Sequence, residues 1–236
     1  MRARRSSGRQ TAGAGGREEG ADRTIEILDA AADCFMESGF DAATIDDIAD
    51  RLDSTKGLIY YKFKSKIDLF FAVYQRGIEL ARDTVQPHAR SGLEPLARLK
   101  AMAIAHTLLL MRTLSYHHVI KQAVDVHVDR ALTPQQRGAL RQLTSLRAGY
   151  ERLFAHVIEE CAREGSLLVP NLDICTKTLM GGLDSVSNWY RPKANEMDVD
   201  RLFIAEAVAN QVIFGLDSKA GLPKSEAGYV RLQESR

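Results

Sequence analysis

The stretch ATIDDIADRLDSTKGLIYYKFKSKIDLF, residues 43–70, decides the fold. Thr44 precedes Ile45, Ile48, Ala49 and Leu52, which are spaced for one face of a short helix, and Asp47 lies where a reciprocal cap would place it. A turn falls at Leu52-Asp53-Ser54, and a second short helix, TKGLIYYKF, opens at Thr55. Asp53 tolerates left-handed geometry better than most residues, so it suits this turn. Ser65 then caps a longer helix in which Ile67, Phe70, Phe71, Tyr74 and Ile78 share a side, with Pro87 at its end. Upstream, Ile25, Leu28, Ala32 and Phe35 form a helical stripe that Gly39 stops. Two short helices joined by a tight turn and packed on a longer first one make a helix-turn-helix unit.

Outward from this unit the pattern stays helical. Stretches at about 93–113, 115–129, 134–164, 171–190 and 198–217 are punctuated by Thr133-Pro134, Gly165, Pro170 and Arg191-Pro192. Nothing alternates strictly enough for a strand, so the expected fold is all-α, with about nine helices. Residues 1–20 are Gly, Ser, Ala and Arg with almost nothing apolar, and are expected to be a disordered basic arm. Its arginines (Arg2, Arg4, Arg5, Arg9, Arg17) suit either a solvated tail or an arm that grazes DNA.

The whole chain, 236 residues, carries a formal charge of only +1, so a nucleic-acid partner would need a local patch. Such a patch is present. Between Ser54 and Lys66 there are four lysines, Lys56, Lys62, Lys64 and Lys66, and no acid, directly after a helix bearing Asp46, Asp47 and Asp50. A helix entering the major groove needs small residues near its start, which Gly57 supplies. Thr55 can cap or bond a phosphate. Tyr60 and Tyr61 offer hydroxyls to phosphates and flat faces to thymine methyls, while Tyr60 and Phe63 also suit a core. Lys62 and Lys66 suit phosphates.

Three cysteines (Cys34, Cys161, Cys175), odd in number and without a CxxC, argue against a disulfide framework and for a reducing compartment. No apolar run approaches the roughly 20 residues of a membrane span, and the N-terminus lacks the apolar stretch of a secretory signal. No membrane partner is expected.

Residues 22–82 resemble the N-terminal DNA-binding domain of the TetR family of bacterial transcriptional repressors. The similarity rests on Gly39-Phe40, on Thr44-Ile45 with Ile48-Ala49, and on Tyr60-Tyr61-Lys62-Phe63 followed by Lys66 and Leu69. Family members usually have Gly and an apolar residue in the turn, where Asp53 and Ser54 stand here. The resemblance implies DNA contacts from Thr44, Thr55, Lys56, Leu58, Tyr60, Tyr61, Lys62 and Lys66, Lys56 and Leu58 setting sequence preference. It implies a DNA-binding domain at 21–86, a ligand-binding and dimerisation domain at 87–218 and a flexible tail at 219–236. It also implies a palindromic double-stranded operator, a small hydrophobic effector, a bacterial cytoplasmic, nucleoid-associated setting and no cofactor.

A homodimer is implied through the last two helices. Leu179, Leu183, Val186 and Tyr190 on one, and Phe203, Val212 and Ile213 on the other, are the candidate interface, with Gly181-Gly182 allowing close approach. Asn188-Trp189-Tyr190-Arg191-Pro192 resembles the end of the penultimate helix in family members that control lipid catabolism, several of which respond to acyl-CoA thioesters. A thioester is therefore the favoured effector; an aromatic or drug-like ligand of an efflux-type regulator is the alternative, and an adaptor without DNA binding is a further one. Candidate ligand contacts are Met102, His106, Leu109, Tyr116, His117, Tyr150, Phe154 and Trp189, residue types that serve equally in a core.

An enzyme reading finds no GxSxG, HExxH or GxxxxGK[ST] motif. Cys34 lies among core residues of the first helix and is expected to be buried and inert. His117-His118 and His127, near Asp125 and Asp129, is the one cluster with metal-ligand chemistry. Adjacent residues point about 100° apart on a helix, so no metal site is expected there.

Overall fold

The computed structural model describes residues 15–125 and 132–215. Most of the basic arm, the 219–236 tail, His127 and Asp129 lie outside the described residues. Among the described residues every regular element is helical: α1 (Gly15–Ala42), α2 (Ile45–Arg51), α3 (Lys56–Lys62), α4 (Lys66–Ala89), α5 (Pro95–Arg112), α6 (Leu114–Asp125), α7 (Pro134–Glu164), α8 (Leu172–Asp184), α9 (Val186–Trp189) and α10 (Asp198–Phe214). No helix among them is long and apolar enough to cross a membrane.

Four boundaries differ from expectation. Helix α1 begins at Gly15, inside the segment expected to be disordered. Gly39 does break helical geometry, at φ 77 and ψ 162, but a further short turn follows it to Ala42. Pro87 lies within α4 rather than at its end, because a proline in the last turn forfeits little helix beyond it. The expected single helix 171–190 is divided at Ser185. Ser185 Oγ donates to the Gly182 carbonyl at 2.7 Å and Ser187 Oγ to the Asp184 carbonyl at 2.8 Å, local bonds that compete with the helical ladder.

The head, α1–α3 with the start of α4, closes over Ile27, Phe35, Ile48, Ile59, Leu69 and Phe70, each 1% exposed or less. Phe40 meets Phe70 edge-on at 4.8 Å between ring centroids. Arg51 pairs with Glu37 and Asp33, fastening α2 to α1. In the body, α5 lies centrally against α4, α7 and α10, and α6 packs on both α1 and α4. Helix α4 therefore belongs to both parts, running from the head into the body.

Candidate DNA-binding face and effector cavity

Helix α2 is fixed at its start by a capping box: Thr44 Oγ1 accepts from the Asp47 amide at 3.1 Å and Asp47 Oδ2 accepts from the Thr44 amide at 2.8 Å. These bonds hold the Asp47 carboxyl below its usual range. Its far end closes through Asp53, which adopts φ 47, with the Ser54 amide reaching the Ala49 carbonyl at 3.0 Å and the Asp53 amide the Asp50 carbonyl at 3.1 Å. That is a Schellman closure with aspartate where glycine is usual. It sets the angle at which α3 leaves.

Helix α3 is anchored by Ile59, fully buried, with Leu58 and Phe63 packed against the same core. The opposite side is open: Tyr61 is 83% exposed and Tyr60 50%, beside exposed Lys56, Gly57 and Lys62. Thr55 occupies the N-cap without a side-chain cap bond, leaving its hydroxyl uncommitted to the helix. Lys56 Nζ lies 3.4 Å from Asp46 Oδ1, a solvent-exposed pair that phosphate can readily displace.

One of the expected DNA contacts is corrected. Lys66 Nζ donates to the carbonyls of Phe40 at 2.7 Å, Asp41 at 3.1 Å and Ala43 at 3.0 Å, and sits 4.7 Å above the Phe40 ring. An ammonium has three N–H donors, so these bonds leave none for a phosphate. Lys66 is the clasp that closes the end of α1. Leu58 is half-buried and packs against the core that seats α3. Lys64, absent from the expected contacts, is exposed in the α3–α4 turn and extends the positive edge.

In the body a narrow cavity lies between α4, α5, α6, α7 and α8. Of the expected ligand contacts it brings together His106, Leu109, Tyr116, His117 and Tyr150. Three do not line it. Met102 and Phe154 are fully buried, Phe154 standing edge-on to Tyr150 and His106 as core, and Trp189 is 53% exposed on the surface. Sequence reading missed Gly77, Ile78 and Ala81 of α4, and the charged Arg147 and Asp184, all of which line the wall. Asp184 carried a signal: an acid on the otherwise apolar face of α8.

The polar end of this cavity is a chain of contacts. Tyr150 Oη is 2.6 Å from His106 Nδ1, and His106 Nε2 is 3.0 Å from Asp184 Oδ1. Burial pushes the Asp184 carboxyl up, but the hydrogen bond from His106 and the charges of His106, His117 and Arg147 outweigh it and hold it below the usual range. Burial pushes His117 down to about 4, so its imidazole is neutral at pH 7. Burial also raises the Tyr150 phenol well above its ordinary value. Tyr116, a wall residue, donates to Asp29 of α1 at 2.6 Å, tying the cavity to the head.

The expected dimer contacts on α8 and α9 are also corrected. Leu179, Leu183, Val186 and Tyr190 are all 6% exposed or less within a single chain, because that face packs inward. Gly182 serves the same inward packing: a Cβ there would meet Val212 Cγ2 at 2.8 Å. The outward apolar side chains are Ile174 on α8 and Val199 and Leu202 on α10, at 62%, 59% and 40% exposure, with Phe203, Val212 and Ile213 half-buried. Among the described residues no group of His, Cys, Asp or Glu is arranged to hold a metal. Cys34 is buried, with its thiol pushed up by that burial.

Comparison with known proteins fits this geometry. A family model described as bacterial regulatory proteins, tetR family, matches residues 27–73, and one described as a tetracyclin repressor-like C-terminal domain matches residues 92–198. The chain belongs to the TetR family. Among curated TetR-like relatives, the HTH-type transcriptional activator FasR of Mycolicibacterium smegmatis is 35% identical over 80 residues, 34% of this chain and 36% of that protein. The match thus spans about a third of FasR. The HTH-type transcriptional repressor KstR2 of Rhodococcus jostii is 26% identical over 199 residues, covering 83% of this chain and 92% of the relative. A solved structure of AibR with isovaleryl coenzyme A and operator DNA superposes with a TM-score of 0.65 at 21% identity, covering 82% of this chain and 98% of that one.

Proposed function

We propose that this TetR-family chain is a homodimeric transcriptional repressor of the bacterial cytoplasm, released from a palindromic operator by a small hydrophobic effector. The observation that carries it is the exposed face of α3, Thr55, Lys56, Gly57, Tyr60 and Tyr61, on a helix whose other face is anchored by buried Ile59. In the binding state two such helices, one per protomer, stand about 34–36 Å apart and enter successive major grooves. Lys56 sets sequence preference, Tyr61, Lys62 and Lys64 hold phosphates, and Thr44 lies beside them at the start of α2.

The effector occupies the cavity. Gly77, Ile78 and Ala81 of α4 line it, and the same helix begins at the reading head, so an occupant that displaces α4 alters the spacing of the two heads. The ligand must bind the released state more tightly for this to work. An acyl-CoA thioester is the favoured class: the wall is apolar along α4 and α5, and the AibR structure holds isovaleryl coenzyme A.

Fluorescence anisotropy on DNA from upstream of the protein's own gene tests this, with acyl-CoA thioesters and the matching free acids added. Release by thioesters alone is the expected result. Binding that no thioester disturbs would remove the lipid reading and direct attention to aromatic ligands.

A further inference from the structure

One atom in the cavity is left without a partner by everything around it. His117 is 7% exposed, and its Nε2 makes no hydrogen bond. Asp184 Oδ1 lies 3.9 Å from it, too far for a direct bond. With Asp184 ionised, His106 presents N–H at Nε2 to the carboxylate and accepts at Nδ1 from the Tyr150 hydroxyl, so the chain Tyr150→His106→Asp184 is self-contained. It does nothing for His117. A lone pair aimed at a carboxylate is repelled, so the His117 tautomer facing Asp184 carries its proton on Nε2. The pair is thus a donor and an acceptor, set apart by a gap that one oxygen seated beside them, about 2.8 Å from each, can bridge.

We propose that this end of the cavity is a hydroxyl-recognition site. It takes an uncharged group on an apolar body, whose O–H donates to Asp184 while its oxygen accepts from His117. The inference rests on reading this cavity as the effector site, and it specifies that ligand's polar group. Charge is selected against on both signs. A carboxylate placed here would face Asp184. A cation would meet Lys121 and Arg147 as well as Asp184 and Glu151, a balanced set that does not offset the cost of burying its charge. An ether oxygen could accept from His117 but would leave Asp184 unsatisfied. The rest of the wall, Ile78, Leu109, Leu110, Ile120 and Met180, suits an alkyl or alicyclic body.

Isothermal titration calorimetry of the full chain without DNA tests the site independently of operator release. The probes are 1-octanol, its isomer 1-methoxyheptane, octanoate and octylammonium. Octanol should bind at least about tenfold more tightly than the ether, the difference expected for one satisfied buried pair, and neither charged probe should bind. His117→Leu should erase the preference for octanol over the ether, and Asp184→Asn should admit octanoate. Failure of octanol to bind, equal affinity for the ether or octanoate, or a preference that survives His117→Leu would overturn the proposal. Because DNA is absent, a failed thioester release leaves these results readable, and the converse also holds.

Discussion

Asp53 sits at φ 47 with its carboxylate at the negative end of α2, so both backbone strain and the helix dipole act against it. Asp53→Gly should therefore stabilise the protein by about 1 kcal/mol, read as a rise in Tm. Lys66 makes the opposite case. Removing its ammonium leaves three carbonyls at the end of α1 without their partner, so Lys66→Ala should cost about 2 kcal/mol in urea unfolding and leave the salt slope of DNA binding unchanged. Lys64→Ala should instead keep stability and reduce that slope by about one unit per protomer. His117 links stability to pH. Its folded value of about 4 lies below its unfolded value of about 6.5, so between these pH values the unfolded chain binds the extra proton. Stability should fall by up to about 3 kcal/mol as pH drops through that window, and His117→Leu should flatten the fall. The window lies above that of Asp184, whose depressed carboxyl loses its contribution only in stronger acid.

At the scale of the elements, close contact between α8 and α10 depends on one missing side chain. A Cβ on Gly182 would meet both methyls of Val212, at 2.8 and 2.9 Å, and a β-branched residue has no rotamer that clears both. Gly182→Ala should cost about 1–3 kcal/mol, measured by chemical unfolding. Helices with strong stripes and caps were legible in sequence: Thr44 and Ser65 each cap where expected, and Asp53 takes the turn conformation foreseen for it. Less legible was which way an apolar stripe faces. Leu179 and Leu183 look the same whether they meet the core of their own chain or a second chain, and the stripe alone carries no information on the partner. Lys66 misled for a related reason, since a lysine in a basic run gives no sign that carbonyls from 25 residues upstream converge on it. The cavity was half legible: aromatic and histidine positions drew notice, but the α4 wall of Gly77 and Ala81 becomes a wall only through its approach to α6.

At the scale of the whole molecule, the proposed mechanism needs two heads at fixed spacing, hence a dimer whose interface lies on the outward side of α8 and α10. Ile174→Glu combined with Leu202→Glu replaces exposed apolar side chains with like charges. This variant should fold, sediment as a monomer and lose operator affinity by more than tenfold. The open face of α3 is proposed to hold duplex DNA. The most direct measurement is the affinity of the wild type and of Tyr61→Ala with Lys56→Ala for an upstream duplex, titrated across salt concentrations. Tight, steeply salt-dependent binding by the wild type at two protomers per site, lost in the double variant with its folding intact, is the predicted result. Equal affinity of the two proteins, or a wild type that binds this duplex no better than a random one, would contradict it.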